Sequence, residues 1–311
     1  EAFDLVVVGL GPAGEKAAAQ AAYFGKRVAG IEASEVGGAV VNTGTLPSKT
    51  LRETALYLSG LRSRSLYGID YSFGREIAAG DLFYRQKLIE ASHLDLVRAN
   101  LDRHQISLIR GRAELQDAHT VLVRGDGDAA ARVRGEFILL ATGSRPARPA
   151  SIPFDGEYVF DSDGILGLQR IPASLVVIGA GVIGSEYATL FAALGTQVTL
   201  VNERDELLPF LDSEIAAVLR QHMESEGVRL LFGRAIEELQ VLRDEGAVRL
   251  TMSGGTELRA EAALYCGGRQ ANTDGLGLER LGIAPDARGR LQVDDGYRTP
   301  VQSVLAAGDI L

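Results

Sequence analysis

The chain has 311 residues, 46% of them hydrophobic, and a net charge of −9. That length exceeds one ordinary domain and makes two the natural count, while the acidic balance, without basic runs or aromatic-basic interleaving, excludes a nucleic-acid surface. No apolar stretch approaches membrane-spanning length, and the single cysteine, Cys266, excludes a disulfide framework or a cysteine-based metal cluster.

The chain opens with Leu5-Val6-Val7-Val8, which reads as a strand, then Gly9-Leu10-Gly11-Pro12-Ala13-Gly14 and an alanine-rich helical pattern. In this G-x-G-x-x-G pattern the first glycine permits the strand-to-helix turn and the second lets backbone approach a pyrophosphate. The third lets helix and strand pack closely. The helix start adds free N–H groups and a positive dipole end. The segment closes on Gly30-Ile31-Glu32, where a carboxylate is placed to accept from a ribose 2′-OH. A tight turn in another α/β protein uses the same glycines, so one copy alone says little.

Residues 37–48 read as a loop, and 49–66 and 81–104 as helices, the second with Leu88, Ile89, His93 and Val97 near one face. Strands are expected at 106–109, 121–123 and 137–140, with a hairpin turn at Gly125-Asp126-Gly127-Asp128. Pro146, Pro149 and Pro153 mark a hinge. The opening pattern then returns 170 residues on, as Leu175-Val176-Val177-Ile178 followed by Gly179-Ala180-Gly181-Val182-Ile183-Gly184. The same offset carries Gly25 onto Gly195, Val28 onto Val198 and Glu32 onto Asn202. Two such units mean two dinucleotide sites on an α/β chain with two Rossmann-like domains.

The copies differ where they would read the ribose. Asn202 carries no charge to repel a 2′-phosphate, and Arg204 lies close enough to pair with one. Glu203 could instead hold a 2′-OH, and both charges also read as solvated loop residues. As written, the site tolerates both NAD and NADP. A helix follows at 213–226, strands at 228–230, 238–242, 248–252 and 257–259, and residues 264–269 read as the closing strand and its outgoing loop. Residues 304–309 form a last strand ending in Gly308-Asp309, which would return the chain to the first domain. Asp309 also reads as an ordinary turn acid. The four histidines, His93, His104, His119 and His222, have no metal-ligand spacing, and no metal site is expected. Cys266 reads as a buried small hydrophobe on an apolar strand.

Together the two fingerprints, Gly37-Gly38 through Gly44 to Pro47-Ser48-Lys49, Ala141-Thr142-Gly143, and Ala307-Gly308-Asp309 resemble the pyridine nucleotide-disulfide oxidoreductases. The resemblance covers nearly the whole chain. It implies FAD in a discontinuous first domain, residues 1–148 and 272–311, and NAD(P)H in an inserted second one, residues 149–271. It also implies that Gly9, Gly11, Pro12, Ala13, Gly14, Glu32, Gly38, Thr43, Lys49, Ala141, Thr142, Gly143 and Asp309 bind FAD. The NAD(P) set is Gly179, Gly181, Val182, Ile183, Gly184, Asn202, Glu203, Arg204 and Gly268.

In that family the loop after the first unit reads G-G-x-C-x-N-x-G-C-x-P-S-K. Here Val40 and Thr45 take the cysteine positions, so no dithiol relay to a disulfide substrate exists. The stretch Gly44-Thr45-Leu46-Pro47-Ser48-Lys49, with Gly268-Arg269-Gln270-Ala271-Asn272-Thr273-Asp274, looks like the soluble FAD-dependent pyridine nucleotide transhydrogenases. That subgroup often keeps one cysteine, where Val40 stands here. The likeness implies hydride transfer from NADPH to FAD, product exchange, and hydride transfer on to NAD⁺. By the same likeness Lys49 sits near the flavin, paired with Glu186, where a cation favours the reduced ring; an exposed helix-start lysine is the plainer alternative. Thr45 contacts the ring or fills the vacated disulfide space, and Val182 stands where some relatives place a Tyr.

Transhydrogenase is thus the expected activity. An NAD(P)H-dependent reductase acting on quinone or another small acceptor is an alternative, and a non-catalytic dinucleotide-binding fragment is one of another class. Relatives continue past the position of Leu311 into a dimerisation domain, so a fragment of a homodimeric enzyme is expected, with a trimmed start at Glu1. No signal-peptide pattern is present, and a cytoplasmic protein with no membrane or nucleic-acid partner is expected.

Overall fold

The computed structural model describes residues 2–63, 78–125 and 130–311. Its elements run β1 (Ala2–Val8), α1 (Pro12–Tyr23), β2 (Val28–Glu32), α2 (Gly38–Asn42), α3 (Thr45–Ser63), α4 (Ala79–Arg103), β3 (Ser107–Arg110), β4 (Arg112–Leu115), β5 (Thr120–Arg124), β6 (Ala130–Leu140) and β7 (Ser144–Pro146). They continue with β8 (Val159–Asp161), β9 (Ser174–Ile178), α5 (Val182–Ala193), β10 (Gln197–Val201), α6 (Ser213–Ser225), β11 (Arg229–Leu231) and β12 (Ile236–Leu242). The last are β13 (Ala247–Met252), β14 (Thr256–Ala260), β15 (Ala262–Tyr265), β16 (Arg269–Ala271) and β17 (Val304–Ala306).

The chain divides into two compact units. One comprises Glu1–Leu46, Ile89–Arg145 and Arg269–Leu311, the other Pro47–Leu88 and Pro146–Gly268. The division expected from sequence differs mainly at Pro47–Leu88. That segment goes with the second unit because Leu51, Ala55, Leu82 and Phe83 bury in its core.

In the first unit, five strands lie parallel in the order β3-β2-β1-β6-β17. Leu5-Val6-Val7-Val8 is apolar throughout because both faces of β1 are covered. Val6 and Val8 join Ile31, Ile138 and Val304 in one core cluster, while Val7 packs with Leu10, Ala18 and Leu139 in another. Strand β6 has two jobs. Its end, from Arg134 on, pairs with β1, and its beginning pairs antiparallel with β5, which in turn pairs with β4. Gly135 sits at the change of partner, where a Cβ would lie 2.7 Å from the Phe137 carbonyl and 2.8 Å from Val6.

The second unit repeats the scheme. Its parallel order is β11-β10-β9-β15-β8, with β12-β13-β14 as a separate antiparallel meander. Leu175 and Val177 bury on one side of β9, Val176 and Ile178 on the other.

Several local expectations need correction. Residues 37–48 are not a loop: α2 occupies Gly38–Asn42 and α3 starts at Thr45. The β-branched pair Val40-Val41 hid α2, whose turn is closed by the Asn42 amide donating to the Val36 and Gly38 carbonyls at 3.0 and 2.8 Å. Pro47 reads as a helix breaker but stands in the first turn of α3, where its missing N–H has no helical partner to lose. Leu88 is exposed, and the buried seam of α4 passes instead through Leu82, Phe83 and Leu101. The short strands β4, β7, β8 and β16 carry too few residues to show a period. The expected end of the helix at residue 66 and the turn residues Asp126-Gly127-Asp128 lie outside the described residues.

Candidate functional site

The two glycine fingerprints fold almost identically. Gly9 and Gly179 hold left-handed backbone, φ 92° and 106°. Their N–H groups donate to Ile31 and Val201 carbonyls, both at 2.8 Å. A Cβ on Gly9 would lie 2.5 Å from the Ala141 carbonyl oxygen, and one on Gly179 2.7 Å from that of Cys266. A Cβ on Gly14 or Gly184 would meet the Gly9 or Gly179 oxygen at 1.9 Å. These four positions admit only glycine because backbone meets backbone.

The middle glycines are different. Nothing lies within 4 Å of a Cβ at Gly181, and at Gly11 only the Gly38 backbone approaches, at 3.5 Å. What they leave is room before the helix. Gly11 and Gly181 are the N-caps of α1 and α5, and no side chain caps either helix. The first-turn N–H groups are therefore free for an anion, which is the geometry a pyrophosphate needs. Pro12 opens α1 without an N–H, whereas Val182, 56% exposed, keeps its own.

At the ribose ends the copies diverge. Glu32 Oε2 accepts from the Leu10 N–H at 2.8 Å and Oε1 from the Ser34 N–H at 2.9 Å. Lone pairs remain on both oxygens for a ribose hydroxyl. Asn202 Oδ1 accepts from the matching Ala180 N–H at 3.3 Å, but its Nδ2 donates to the Arg204 and Glu206 carbonyls at 2.8 and 3.2 Å. Both amide hydrogens are thus engaged in shaping the loop. Glu203 and Arg204 are exposed beside it.

Several other expected residues of the first unit lie beside the fingerprint segment: Gly38 at Gly11, Ala141 at Gly9 and Gly308 at Ala13. Gly38, φ 56°, lies so near that its Cβ would be 2.7 Å from the Gly11 Cα. Thr43 ends α2, its N–H on the Ala39 carbonyl at 3.1 Å. The Ala141 N–H continues the β1 ladder to the Val8 carbonyl, and Gly143, φ 66°, has open space where a Cβ would stand. A Cβ on Gly308 would touch that of Ala13 at 3.0 Å, which brings the end of β17 against the first turn of α1. Asp309 Oδ2 accepts from Ser144 Oγ at 3.1 Å. Ser144 and Asn272 had no expected role. Asn272 is laced to Thr142 by two hydrogen bonds, Thr142 Oγ1 donating to its carbonyl at 2.7 Å and its Nδ2 donating to the Thr142 carbonyl at 2.9 Å. In the sequence Asn272 stood out only as a member of the Gly268–Asp274 stretch, and Ser144 only as the neighbour of Ala141-Thr142-Gly143.

Within the second unit, Lys49 Nζ lies 2.6 Å from Glu186 Oε1, and Ser48 Oγ reaches the same oxygen at 3.4 Å. The Lys49 side chain is 59% exposed and that of Glu186 15%, so the pair sits with its cation toward solvent. Thr45 and Val40 belong to the first unit and are both exposed. Gly268, φ 125°, is also open, and its carbonyl accepts from the Ala147 N–H at 2.9 Å.

Cys266 stands one residue past β15, its N–H on the Ile178 carbonyl at 2.7 Å, not within the strand as expected. Cys266 is half-buried; desolvation, with the Asp161 charge added, pushes its thiol above the ordinary range and disfavours the thiolate near neutral pH. Burial alone would raise Asp161 as well. The Arg148 guanidinium at 2.5 Å and the Gly164 N–H at 2.7 Å outweigh it and hold this carboxyl below the usual range. Among the described residues no group of three or more His, Cys, Asp or Glu side chains could hold a metal ion, and no helix is long and apolar enough to cross a membrane.

Residues 3–311 match the family described as pyridine nucleotide-disulphide oxidoreductase. A soluble pyridine nucleotide transhydrogenase from Mycobacterium bovis is 45% identical over 99% of this chain, and one from Chromohalobacter salexigens 40% identical over 99%. This chain covers 66% of the length of each. Among solved structures, LpdA from Mycobacterium tuberculosis matches with a TM-score of 0.89 at 30% identity, over 98% of this chain and 67% of that one. A copper(II) complex of the HOCl-induced flavoprotein disulfide reductase RclA from Escherichia coli matches with a TM-score of 0.86 at 29% identity, over 100% of this chain and 66% of that one.

Proposed function

Since the chain belongs to the pyridine nucleotide-disulphide oxidoreductase family, we propose that it is the nucleotide-binding part of a flavoprotein transhydrogenase, moving hydride from NADPH to NAD⁺ through FAD. The observation that carries this reading is the pair of cradles that share one pyrophosphate geometry and differ at the ribose. FAD goes to the first, where Glu32 keeps acceptor capacity for a ribose hydroxyl. NADPH and NAD⁺ take turns at the second, where Asn202 presents no negative charge and Arg204 stands exposed for a 2′-phosphate.

FAD, when bound, supplies the ring that takes up and releases the hydride. The residues of this chain bind, orient and set charge. Lys49, held by Glu186, is the cation assigned to the ring, and its exposure leaves Nζ free to face a ligand. Val40 and Thr45 supply no thiol, which removes disulfide substrates from the reading. The small Val182 leaves a nicotinamide room to approach. Cytoplasmic operation, and a homodimer for the longer protein, belong to the same proposal.

Anaerobic titration of the purified protein tests it. Bleaching of the flavin band by NADPH, recovery on adding NAD⁺, and formation of NADH are the expected results. Bleaching that recovers only when quinone or oxygen is admitted would replace transhydrogenation with a reductase. A protein without any flavin band that cannot be loaded with FAD would leave a binding module.

A further inference from the structure

The first cradle has a strut that the second lacks. Helix α4 sends two side chains, two residues apart, to the two nucleotide-facing parts of the first unit. Asn100 Nδ2 donates to Glu15 Oε1 at 2.6 Å, and Glu15 is a buried carboxylate in the first turn of α1. Arg98 Nη2 donates to Glu35 Oε2 at 2.8 Å. The same Glu35 oxygen lies 3.5 Å from Arg110 Nη2 at the end of β3, and Arg110 Nη1 donates to the Ser34 carbonyl.

Ser34 is the residue whose N–H holds Glu32 Oε1. A chain of contacts therefore runs from α4 through Glu35, Arg110 and Ser34 to the carboxylate that faces the ribose. Arg110 is also the residue beside Glu32 in the parallel register of β2 and β3, and the Gly111 N–H donates to the Glu32 carbonyl at 2.9 Å. The two guanidinium groups hold the Glu35 carboxyl below its ordinary range, the Arg98 hydrogen bond being the larger influence.

Among the described residues the second unit shows no counterpart. The residue matching Glu15 is Ser185, whose buried Oγ has no hydrogen-bond partner. The loop after β10 is tied through Asn202 to its own carbonyls and to the Ala180 N–H, and by backbone bonds to Ala180, Leu231 and Arg234. Among the described residues no side chain reaches it from a helix as Arg98 does in the first unit.

We propose that Arg98 and Asn100 are positioning residues for the adenosine diphosphate half of the nucleotide in the first unit, acting through Glu35 and Glu15. This rests on the assignment of FAD to that unit. Braced from α4, the first site keeps its ligand through turnover. The second, without such a brace among the described residues, exchanges.

The test is calorimetric titration of flavin-depleted protein, with NADP⁺ saturating, by FAD and separately by ADP. Arg98→Met with Asn100→Ala should weaken both ligands, each broken contact being worth roughly fivefold, the factor given by about 1 kcal/mol. NADPH affinity should stay as in the parent. Arg98→Met alone, at an exposed ion pair, should also leave the thermal midpoint of the depleted protein unchanged, while Asn100→Ala lowers it because Glu15 is buried. Arg98→Lys, which keeps a cation beside Glu35 and leaves the Glu35–Arg110 contact in place, should retain more of the FAD affinity than Arg98→Met. Unchanged FAD and ADP affinities in the double variant would overturn the proposal while leaving the FAD assignment intact. An equal loss of NADPH affinity would overturn it too, since the role would then be general. A parent that binds ADP with this sensitivity but refuses FAD would uphold the strut and sink the FAD assignment. Binding of neither would sink both.

Discussion

The two units invite a direct comparison. Each is a five-stranded parallel sheet with a three-stranded antiparallel meander, and each places a glycine turn after its central strand. They differ in where the fifth parallel strand comes from. In the first unit it is β17, near the end of the described chain; in the second it is β8, which precedes the fingerprint. They differ again in the meander, which shares β6 with the parallel sheet in one unit and stands alone in the other. Backbone geometry at the pyrophosphate is therefore kept, while everything that would read the ribose or hold the ligand in place has changed. The fixed part is what backbone sterics demand, and the variable part is side-chain chemistry.

The largest test of that split is at the third glycines. Gly14→Ala and Gly184→Ala each drive a Cβ to 1.9 Å from a carbonyl oxygen, and each should cost about 3 kcal/mol or more in chemical denaturation. A mild effect at either would break the equivalence of the two turns. Gly181→Ala should leave stability unchanged within about 0.5 kcal/mol, since its Cβ meets nothing within 4 Å, yet reduce NADPH binding strongly.

Next in size is Arg148→Met, which leaves the buried Asp161 without its guanidinium. Because Arg148 is 59% exposed, the loss is set at about 1–3 kcal/mol, below that for a fully buried pair. Asp161 titrates below its ordinary 3.8 in the folded state, so its contribution is complete above that value and is lost as the pH falls through the lower folded one. The difference in stability between parent and Arg148→Met should accordingly be constant from pH 5 to 8 and shrink in acid; a gap that widens in acid would contradict the assignment.

How much of this was legible beforehand differs by level. The fingerprints and strands β1, β2, β9 and β10 stood out because a strand buried on both faces is a continuous apolar run next to a glycine turn. Helix α2 and the start of α3 did not. They depend on an Asn42 side chain folding back on carbonyls and on Pro47 falling in a first turn, neither of which a periodicity expresses. Glu32 and Asn202 were visible as aligned residues. That Asn202 commits both amide hydrogens to its own loop was not, because spacing says nothing about where an amide points. The strut from Arg98 and Asn100 was equally hidden, since its partners lie 63 and 85 residues away in sequence.

Smaller effects sharpen the functional contrast. Lys49→Met should slow flavin reduction by about tenfold or more, measured by stopped flow, yet change stability by less than about 1 kcal/mol. Unaltered reduction kinetics would return Lys49 to an ordinary surface lysine. Arg204→Ala should weaken NADPH roughly five- to tenfold and NADH hardly at all; equal shifts for the two would remove it from the 2′-phosphate.

The most direct measurement is the nucleotide stoichiometry and residence of the two sites on one sample. The account predicts one FAD per chain that survives gel filtration and one NADPH per chain that exchanges freely, with Gly181→Ala losing only the second. Two equally exchangeable nucleotides, or NADPH that displaces FAD, would contradict the division of labour between the units.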